Sequence, residues 1–204
     1  MPSAPSGFHP DERPERLDEC RRCPLWEHAT QAVPGLGPRH APLMVIGEQP
    51  GDQEDLQGKP FVGPAGALLD NALQEAGVDR KDVYVTNAVK HFKWEPRGKR
   101  RLHKTPAQRE VDACHYWFER ELAVHKPKVI VTLGATALKS VLQTSTAKLQ
   151  ASMDQVIEHD GLRIIATFHP SYALRAPDAK TRDRAYHAIV EAFRRARQLL
   201  GEAE

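Results

Sequence analysis

Three side chains in this sequence are suited to acid–base or nucleophilic chemistry. Glu48 stands in a tight turn between Gly47 and Gln49, where a carboxylate can serve as a general base or an electrostatic stabiliser. His103 ends a basic stretch, and a neutral imidazole near a carboxylate can act as a base or nucleophile. His169 follows an apolar run and could donate a hydrogen bond to an oxygen that gains negative charge. A solvated glutamate, a surface histidine and a strand-capping histidine are the alternatives.

Other residues near these positions are suited to holding a flat heterocyclic base. Phe61 lies among glycines on a loop, where an aromatic ring can stack on a base. Asn87 ends an apolar run, and its amide offers both a donor and an acceptor. The glycines around Glu48 would let backbone N–H groups approach such a ligand closely. A hydrophobic plug beneath the loop and a capping asparagine remain open as alternatives.

A strongly basic stretch runs from Lys90 to Lys104. Its seven basic residues and one acid give a net charge of +6, against +2 for the whole chain. Phe92 and Trp94 are interleaved with the cations, a pattern typical of loops that contact phosphates and bases. Gly98 indicates a protruding, hairpin-like turn within the stretch. The alternative is a solvated basic loop.

Three cysteines and one histidine form a candidate metal site. Cys20 and Cys23 are spaced as Cys-x-x-Cys, which indicates metal ligation or redox chemistry. Cys114 supplies a third soft ligand, and His91 is the candidate fourth because it starts the loop that leads to the Cys114 helix. Three thiolates and an imidazole suit both zinc and an iron–sulfur cluster. Unligated cysteines are the alternative.

Four short apolar runs predict the strands that position these side chains. They are continuous, as expected for strands covered on both faces, and comprise residues 43–46, 83–86, 129–133 and 164–168. Helices are predicted at residues 64–76, from Thr105-Pro106 to about Val124, and at about 181–200. This alternation predicts an α/β fold with a parallel sheet and helices on both sides.

The polar and glycine-rich segments follow these predicted strands. Glu48 comes after the first strand, Asn87 after the second, Gly134-Ala-Thr after the third and His169 after the fourth. Open α/β sheets bind ligands beyond the carboxyl ends of their strands. The sequence therefore predicts one active site assembled from several loops.

The composition is that of a globular protein, with 40% hydrophobic and 27% charged residues in a chain of 204. Residues 1–13 are expected to form a flexible tail and residues 14–204 a single domain. No apolar run approaches the ~20 residues that cross a bilayer, and the N-terminus lacks the apolar core of a secretory signal. We therefore expect a cytoplasmic protein without stable disulfides.

From Cys20 to the final helix, the chain resembles the uracil-DNA glycosylase superfamily. The resemblance is strongest to its iron–sulfur families and, within them, to the UdgX group. It rests on Gly47-Glu-Gln-Pro-Gly51, on His169-Pro-Ser171 and above all on Lys99-Arg-Arg-Leu-His103, a loop that ordinary iron–sulfur uracil glycosylases lack. It implies a three-layer α/β/α sandwich around a four-stranded parallel sheet, with a 4Fe–4S cluster and, as the alternative, zinc.

The resemblance also implies roles for individual residues. His103 would attack C1′ of the deoxyribose and stay attached to the abasic DNA, Glu48 would orient or deprotonate His103, and His169 would stabilise the departing uracil anion. Substrate binding would involve Gln49, Gly51, Phe61, Asn87 and Arg101, of which Arg101 would help to hold the loop closed. DNA contacts would come from Lys99, Arg100, Ser171 and Arg175. The cluster would be held by Cys20, Cys23, His91 and Cys114.

The implied partners are uracil-containing DNA, with single strands preferred, and free uracil as product. A monomer, associated with the nucleoid when on DNA, is expected. Two departures from the group's pattern stand out: His91 replaces a third cysteine, and Leu102 replaces an isoleucine of similar size and apolarity. The alternatives are an ordinary turnover uracil glycosylase and a non-catalytic, metal-stabilised nucleic-acid-binding module.

Overall fold

The computed structural model describes residues 7–201 and contains seven strands. They are β1 (Leu43–Gly47), β2 (Val83–Asn87), β3 (Trp94–Arg97), β4 (Arg100–His103), β5 (Val129–Leu133), β6 (Val156–His159) and β7 (Leu162–Thr167). Five of them form the central sheet in the order β2-β1-β5-β7-β6. All its neighbouring pairs are parallel except β6 and β7. Strands β3 and β4 form a separate antiparallel pair.

Within residues 7–201, seven α-helices accompany the strands. They are α1 (Asp52–Gln57), α2 (Pro64–Glu75), α3 (Gln108–His125), α4 (Ala135–Leu142), α5 (Leu149–Ser152), α6 (Pro170–Leu174) and α7 (Ala179–Gly201). Among residues 7–201, no helix has both the length and the apolarity that a membrane crossing requires.

The central sheet is covered by helices on both faces. On one face Val45 and Val131 belong to a cluster with buried residues of α2 and α7. On the other face Ile46 and Ile130 belong to a cluster with residues of α3 and α4. Strands β1, β2 and β5 are buried along their whole length, which explains why their sequences are continuously apolar. The predicted α/β/α sandwich is confirmed.

The sheet and one helix differ in detail from the sequence expectations. The four predicted parallel strands are present, but β6 adds a fifth, antiparallel strand at the edge. It was missed because its residues are mostly half-buried and include polar side chains. Helix α3 begins at Gln108 and not at Thr105-Pro106. The Glu110 carboxylate accepts the Ala107 N–H at 2.7 Å and thereby fixes the first turn at that point.

Part of the predicted N-terminal tail, residues 1–6, lies outside the described residues. Within residues 7–13, the Arg109 guanidinium lies 4.5 Å from the Phe8 ring centroid, and Arg22 donates a hydrogen bond to the Glu12 carbonyl. The following segment packs Cys20, Cys23 and Leu25 against α3 in a third buried cluster. The described N-terminal segment therefore packs against α3.

Candidate active site

A cavity of about 410 Å³ opens beyond the carboxyl ends of β1, β2, β5 and β7. It brings together all three predicted catalytic residues, Glu48, His103 and His169. Of the other predicted site residues, it is also lined by Gln49, Gly51, Phe61, Asn87, Ser171 and Arg175. Arg101, Lys99 and Arg100 are not among the described residues that line it. The expectation of one site at the strand ends agrees with this arrangement.

Glu48 and His103 are in direct contact. Glu48 Oε1 lies 3.0 Å from His103 Nε2, and Glu48 Oε2 accepts a hydrogen bond of 2.6 Å from the Thr136 hydroxyl. Burial opposes ionisation of Glu48, but the hydrogen bonds from His103 and Thr136 outweigh it, so the pKa of Glu48 lies below its ordinary value. Glu48 is therefore a carboxylate at neutral pH and can orient the imidazole or accept its proton.

Thr136 is a site residue that sequence reasoning missed. It belongs to the Gly134-Ala-Thr segment after β5, so its position at a strand end was the available signal. Its hydroxyl holds the oxygen of Glu48 that His103 does not use. Thr136 thus fixes the orientation of the carboxylate.

His169 is held as a neutral hydrogen-bond donor. Its Nδ1 accepts the backbone N–H of Ser171 at 3.1 Å, so in the neutral ring the proton resides on Nε2. Burial lowers the pKa of His169 to about 4, although the nearby Glu48 charge acts in the opposite direction. The ring therefore carries one N–H donor and no charge at neutral pH, which suits it to stabilise an oxygen that becomes negative.

Phe61 forms one wall of the cavity, and its ring stacks on His169 at a centroid distance of 6.0 Å. The loop adopts an unusual left-handed conformation at Phe61, with φ of 54°. Glu54 stabilises it by accepting the backbone N–H groups of Val62 and Gly63 at 3.0 and 2.8 Å. The aromatic ring is therefore fixed in place, as stacking on a planar ligand requires.

Asn87 presents a side-chain acceptor to the cavity. Its buried Oδ1 receives no hydrogen bond within residues 7–201, and Asn87 lines the cavity. A Cβ on Gly47 would lie 2.4 Å from that oxygen and 2.6 Å from Phe61 Cζ, so only glycine leaves room for both side chains. A buried, unpaired acceptor is costly, and an N–H group of a ligand would satisfy it.

His103 is carried by the β3–β4 hairpin (Trp94–His103), whose ends are tied together by Gln49. Gln49 Oε1 accepts the Lys93 N–H at 2.9 Å, and its Nε2 donates to the Lys104 carbonyl at 3.0 Å. The side-chain amide of Gln49 is therefore occupied by the hairpin. A contribution of Gln49 to substrate binding therefore stays a prediction, and it would have to come from the backbone of this residue.

Arg101 docks the hairpin onto α1. Its guanidinium forms ion pairs with Asp52 at 2.6 Å and with the fully buried Asp55 at 2.5 Å. This arrangement agrees with the expectation that Arg101 holds the loop closed, whereas a direct substrate contact stays a prediction. Asp52 and Asp55 were missed because nothing in the sequence pairs them with a cation 46 to 49 residues away.

The interpretation of the whole basic stretch as a surface for phosphates and bases is wrong for its first part. Lys90 is buried and forms an ion pair of 2.8 Å with Glu121, while Lys93 pairs with Glu110 at 2.7 Å. Phe92 is also buried and cannot stack on a base. The exposed cations of the stretch are Arg97, Lys99 and Arg100 at the hairpin tip and Lys104, which pairs with Glu95 at 3.0 Å. The predicted DNA contacts of Lys99 and Arg100 remain predictions.

The three cysteines are buried in one cluster, and no disulfide joins them. Two N–H groups point at their sulfur atoms: the Trp117 indole donates to Cys20 Sγ at 3.2 Å, and the Lys90 backbone donates to Cys114 Sγ at 3.3 Å. His91 directly follows Lys90 and is also buried. Such N–H donors are the usual partners of thiolate ligands.

By their chemistry, three cysteines and an imidazole suit a soft metal centre such as zinc or an iron–sulfur cluster. In the described part of the chain, no three His, Cys, Asp or Glu side chains form a group that could hold one metal ion. Burial lowers the pKa of His91 to about 4, which keeps the imidazole neutral and able to coordinate.

Comparisons with known proteins agree with this site. Residues 34–194 match the model of the Uracil DNA glycosylase superfamily. A Type-4 uracil-DNA glycosylase of Thermotoga maritima is 39% identical over 162 residues, which cover 79% of this chain and 81% of that protein. A Type-4 uracil-DNA glycosylase of Sulfurisphaera tokodaii is 33% identical over 193 residues, with 91% and 82% covered. A Type-5 uracil-DNA glycosylase of Pyrobaculum aerophilum is 29% identical over 199 residues, with 82% and 84% covered. The cavity at the strand ends and these similarities lead to one conclusion: the chain belongs to the uracil DNA glycosylase superfamily.

Proposed function

We propose that this protein excises uracil from DNA and remains covalently attached to the abasic sugar through His103. The observation that carries the proposal is the placement of His103. The hairpin brings it to the mouth of the cavity, 3.0 Å from the Glu48 carboxylate. Excision itself is supported by the relatives of Thermotoga and Sulfurisphaera, whose names state this activity. Attachment is supported by the hairpin and by the resemblance of its sequence to the UdgX group.

The side chains that line the cavity are suited to binding uracil. The unpaired Oδ1 of Asn87 would accept the N3–H of uracil, and Phe61 would stack on the ring. A base inside a duplex cannot reach an enclosed cavity, so the nucleotide must flip out or be single-stranded. We therefore propose single-stranded DNA as the preferred substrate, bound by a monomer, with Ser171 and Arg175 contacting it at the rim of the cavity.

Departure of the base requires stabilisation of two charges. As the bond between uracil N1 and C1′ breaks, its electron pair stays with uracil and positive charge develops on the sugar. The Nε2–H of His169 would donate to the uracil oxygen that becomes negative. The Glu48 carboxylate and the DNA phosphates would stabilise the sugar.

Capture of the sugar follows from the position of His103. The imidazole lone pair forms a bond to C1′, and the resulting imidazolium passes its N–H proton to Glu48, from which the proton reaches solvent. The uracil anion takes up one proton, so charge and atoms balance. Once deprotonated, an imidazole bonded to C1′ is a poor leaving group, and the reaction stops at the adduct.

The cluster proposed at Cys20, Cys23, His91 and Cys114 would serve as a structural cross-link. It would join the N-terminal segment to α3 and to the loop that precedes the hairpin. When bound, it supplies no step of the base-excision chemistry described above.

Replacing Cys114 with serine is expected to bleach the purified protein and destabilise it. The loss of a structural metal centre costs ~4 kcal/mol, which lowers the Tm of a chain of this size by about 8–16 °C. Visible absorption and thermal unfolding measure both effects, with Asp112→Ser on the exposed side of α3 as the control. A colourless, zinc-containing wild-type protein would contradict the assignment of iron and sulfur.

The covalent proposal is tested by mixing the protein with single-stranded DNA that contains one uracil. After heating, a denaturing gel is expected to show a band shifted by the mass of the protein, and the same DNA with thymine is expected to show none. Free abasic DNA without a shifted band would identify a turnover glycosylase. Salt-dependent binding that is indifferent to uracil, with no base released, would identify a binding module.

A further inference from the structure

The position of His103 depends on contacts between the hairpin and the rest of the molecule. The hairpin forms its own two-stranded sheet and does not pair with the described strands of the central sheet. A two-stranded hairpin is at best marginally stable by itself. Side-chain contacts must therefore hold it in place, and each of them contributes to the placement of His103.

Trp94 makes one of these contacts from the position directly opposite His103. The register of the hairpin pairs Trp94 on β3 with His103 on β4. The Trp94 indole N–H donates to the His28 carbonyl at 2.9 Å, and the Arg101 guanidinium lies 5.5 Å from the centre of its ring. Trp94 therefore connects the strand pair that carries His103 to the N-terminal segment.

The segment that receives Trp94 is itself fixed to α1. The Thr30 N–H donates to Asp55 Oδ1 at 2.9 Å, and Gln31 Nε2 donates to the Asp55 carbonyl at 3.0 Å. The same Asp55 carboxylate binds Arg101 of the hairpin. Residues 28–31 and α1 thus form one platform, and the hairpin docks on it through Arg101 and Trp94.

We infer that Trp94 is a positioning residue that decides whether the abasic sugar is captured by His103 or by water. This inference rests on the proposed function. Trp94 is not among the described residues that line the cavity, so its loss leaves the groups that bind and release uracil in place. A hairpin that leaves the platform carries His103 away from Glu48, and water then adds its hydroxyl to C1′ and releases a proton. The product is free abasic DNA.

The experiment compares Trp94→Phe with wild type in the full-length protein. Phenylalanine keeps an aromatic ring but lacks the indole N–H. Uracil-containing single-stranded DNA is the substrate, and released uracil and adduct are quantified in the same sample. The ratio of adduct to free abasic DNA is expected to fall about fivefold, the usual effect of one lost hydrogen bond, while the rate of uracil release stays constant.

Two further variants complete the design. Trp94→Ala removes the ring as well and is expected to lower the ratio at least about tenfold. Trp26→Phe is the matched control, because Trp26 is exposed and its indole N–H donates to no described residue. This control is expected to keep the wild-type ratio.

The outcomes separate the inference from the proposed function. If wild type forms no adduct, the proposed covalent function fails whatever Trp94 does. If wild type forms adduct and Trp94→Phe keeps the same ratio, the positioning role of Trp94 is wrong. A parallel loss of uracil release and adduct in Trp94→Phe would also overturn it, because that result indicates general damage to the fold.

Discussion

The His103→Ala variant is expected to release uracil from DNA without forming any heat-stable adduct. Alanine removes the nucleophile and leaves a space beside C1′ that water can fill. The groups assigned to base binding and departure, Asn87, Phe61 and His169, contact the cavity independently of the His103 side chain. The change should therefore convert a protein that reacts once into an enzyme that turns over.

The measurement follows two products at an excess of DNA over protein. Wild type is expected to release at most one uracil per protein molecule, and His103→Ala is expected to continue. His187→Ala, an exposed histidine on α7, is the matched control and should behave like wild type. An adduct that persists in His103→Ala would show that another residue attacks the sugar, and the proposed role of His103 would be wrong.

Replacement of His169 by alanine is expected to slow uracil release about 10²–10³-fold, the usual cost of removing one donor to a developing negative charge. The Nε2–H of His169 would stabilise uracil only as it departs, so the substrate affinity should change little. Adduct formation should slow by the same factor, because attack on C1′ depends on the same departure. Single-turnover rates of both products under identical conditions measure the effect.

The pH dependence supplies a second measurement for His169. Because burial lowers its pKa to about 4, the ring stays neutral until the pH falls toward that value. The single-turnover rate should therefore show no change attributable to His169 near neutrality.

A His169→Asn variant, which retains an N–H donor, should recover part of the lost rate. Equal rates for His169→Ala and wild type would exclude the proposed stabilisation.

The architecture and part of the site were predictable from the sequence. Continuous apolar runs indicated the parallel strands, and the rule that ligands bind at strand ends selected Glu48, Asn87 and His169. All three line the cavity. His103 was selected differently: a histidine in a basic stretch is ordinarily a surface residue, and only the resemblance of its loop to a known group singled it out.

The pairing of charges could not be predicted. Lys90 counted as one of seven cations in a basic stretch, yet it is buried against Glu121, which comes 31 residues later on α3. Arg101 likewise depends on Asp52 and Asp55. The net charge of a segment does not indicate which of its cations are buried or which carboxylates they pair with, because both depend on tertiary packing.

The comparisons confirm the resemblance at the level of the superfamily. The match over residues 34–194 and the relatives of 33% and 39% identity support it. The proposed covalent attachment rests on the geometry of Glu48 and His103.

The side-chain amide of Gln49 forms hydrogen bonds to Lys93 and to Lys104, the two residues that flank the hairpin. The ten residues between them, 94–103, form an insertion in a loop. The two ends of this insertion, Lys93 and Lys104, are held together by Gln49, which lies outside it. Exchange of this insertion for a short turn would leave both ends and the neighbouring Glu48 in position. If the proposed function holds, gain or loss of covalent attachment would require no change in the residues that recognise the base.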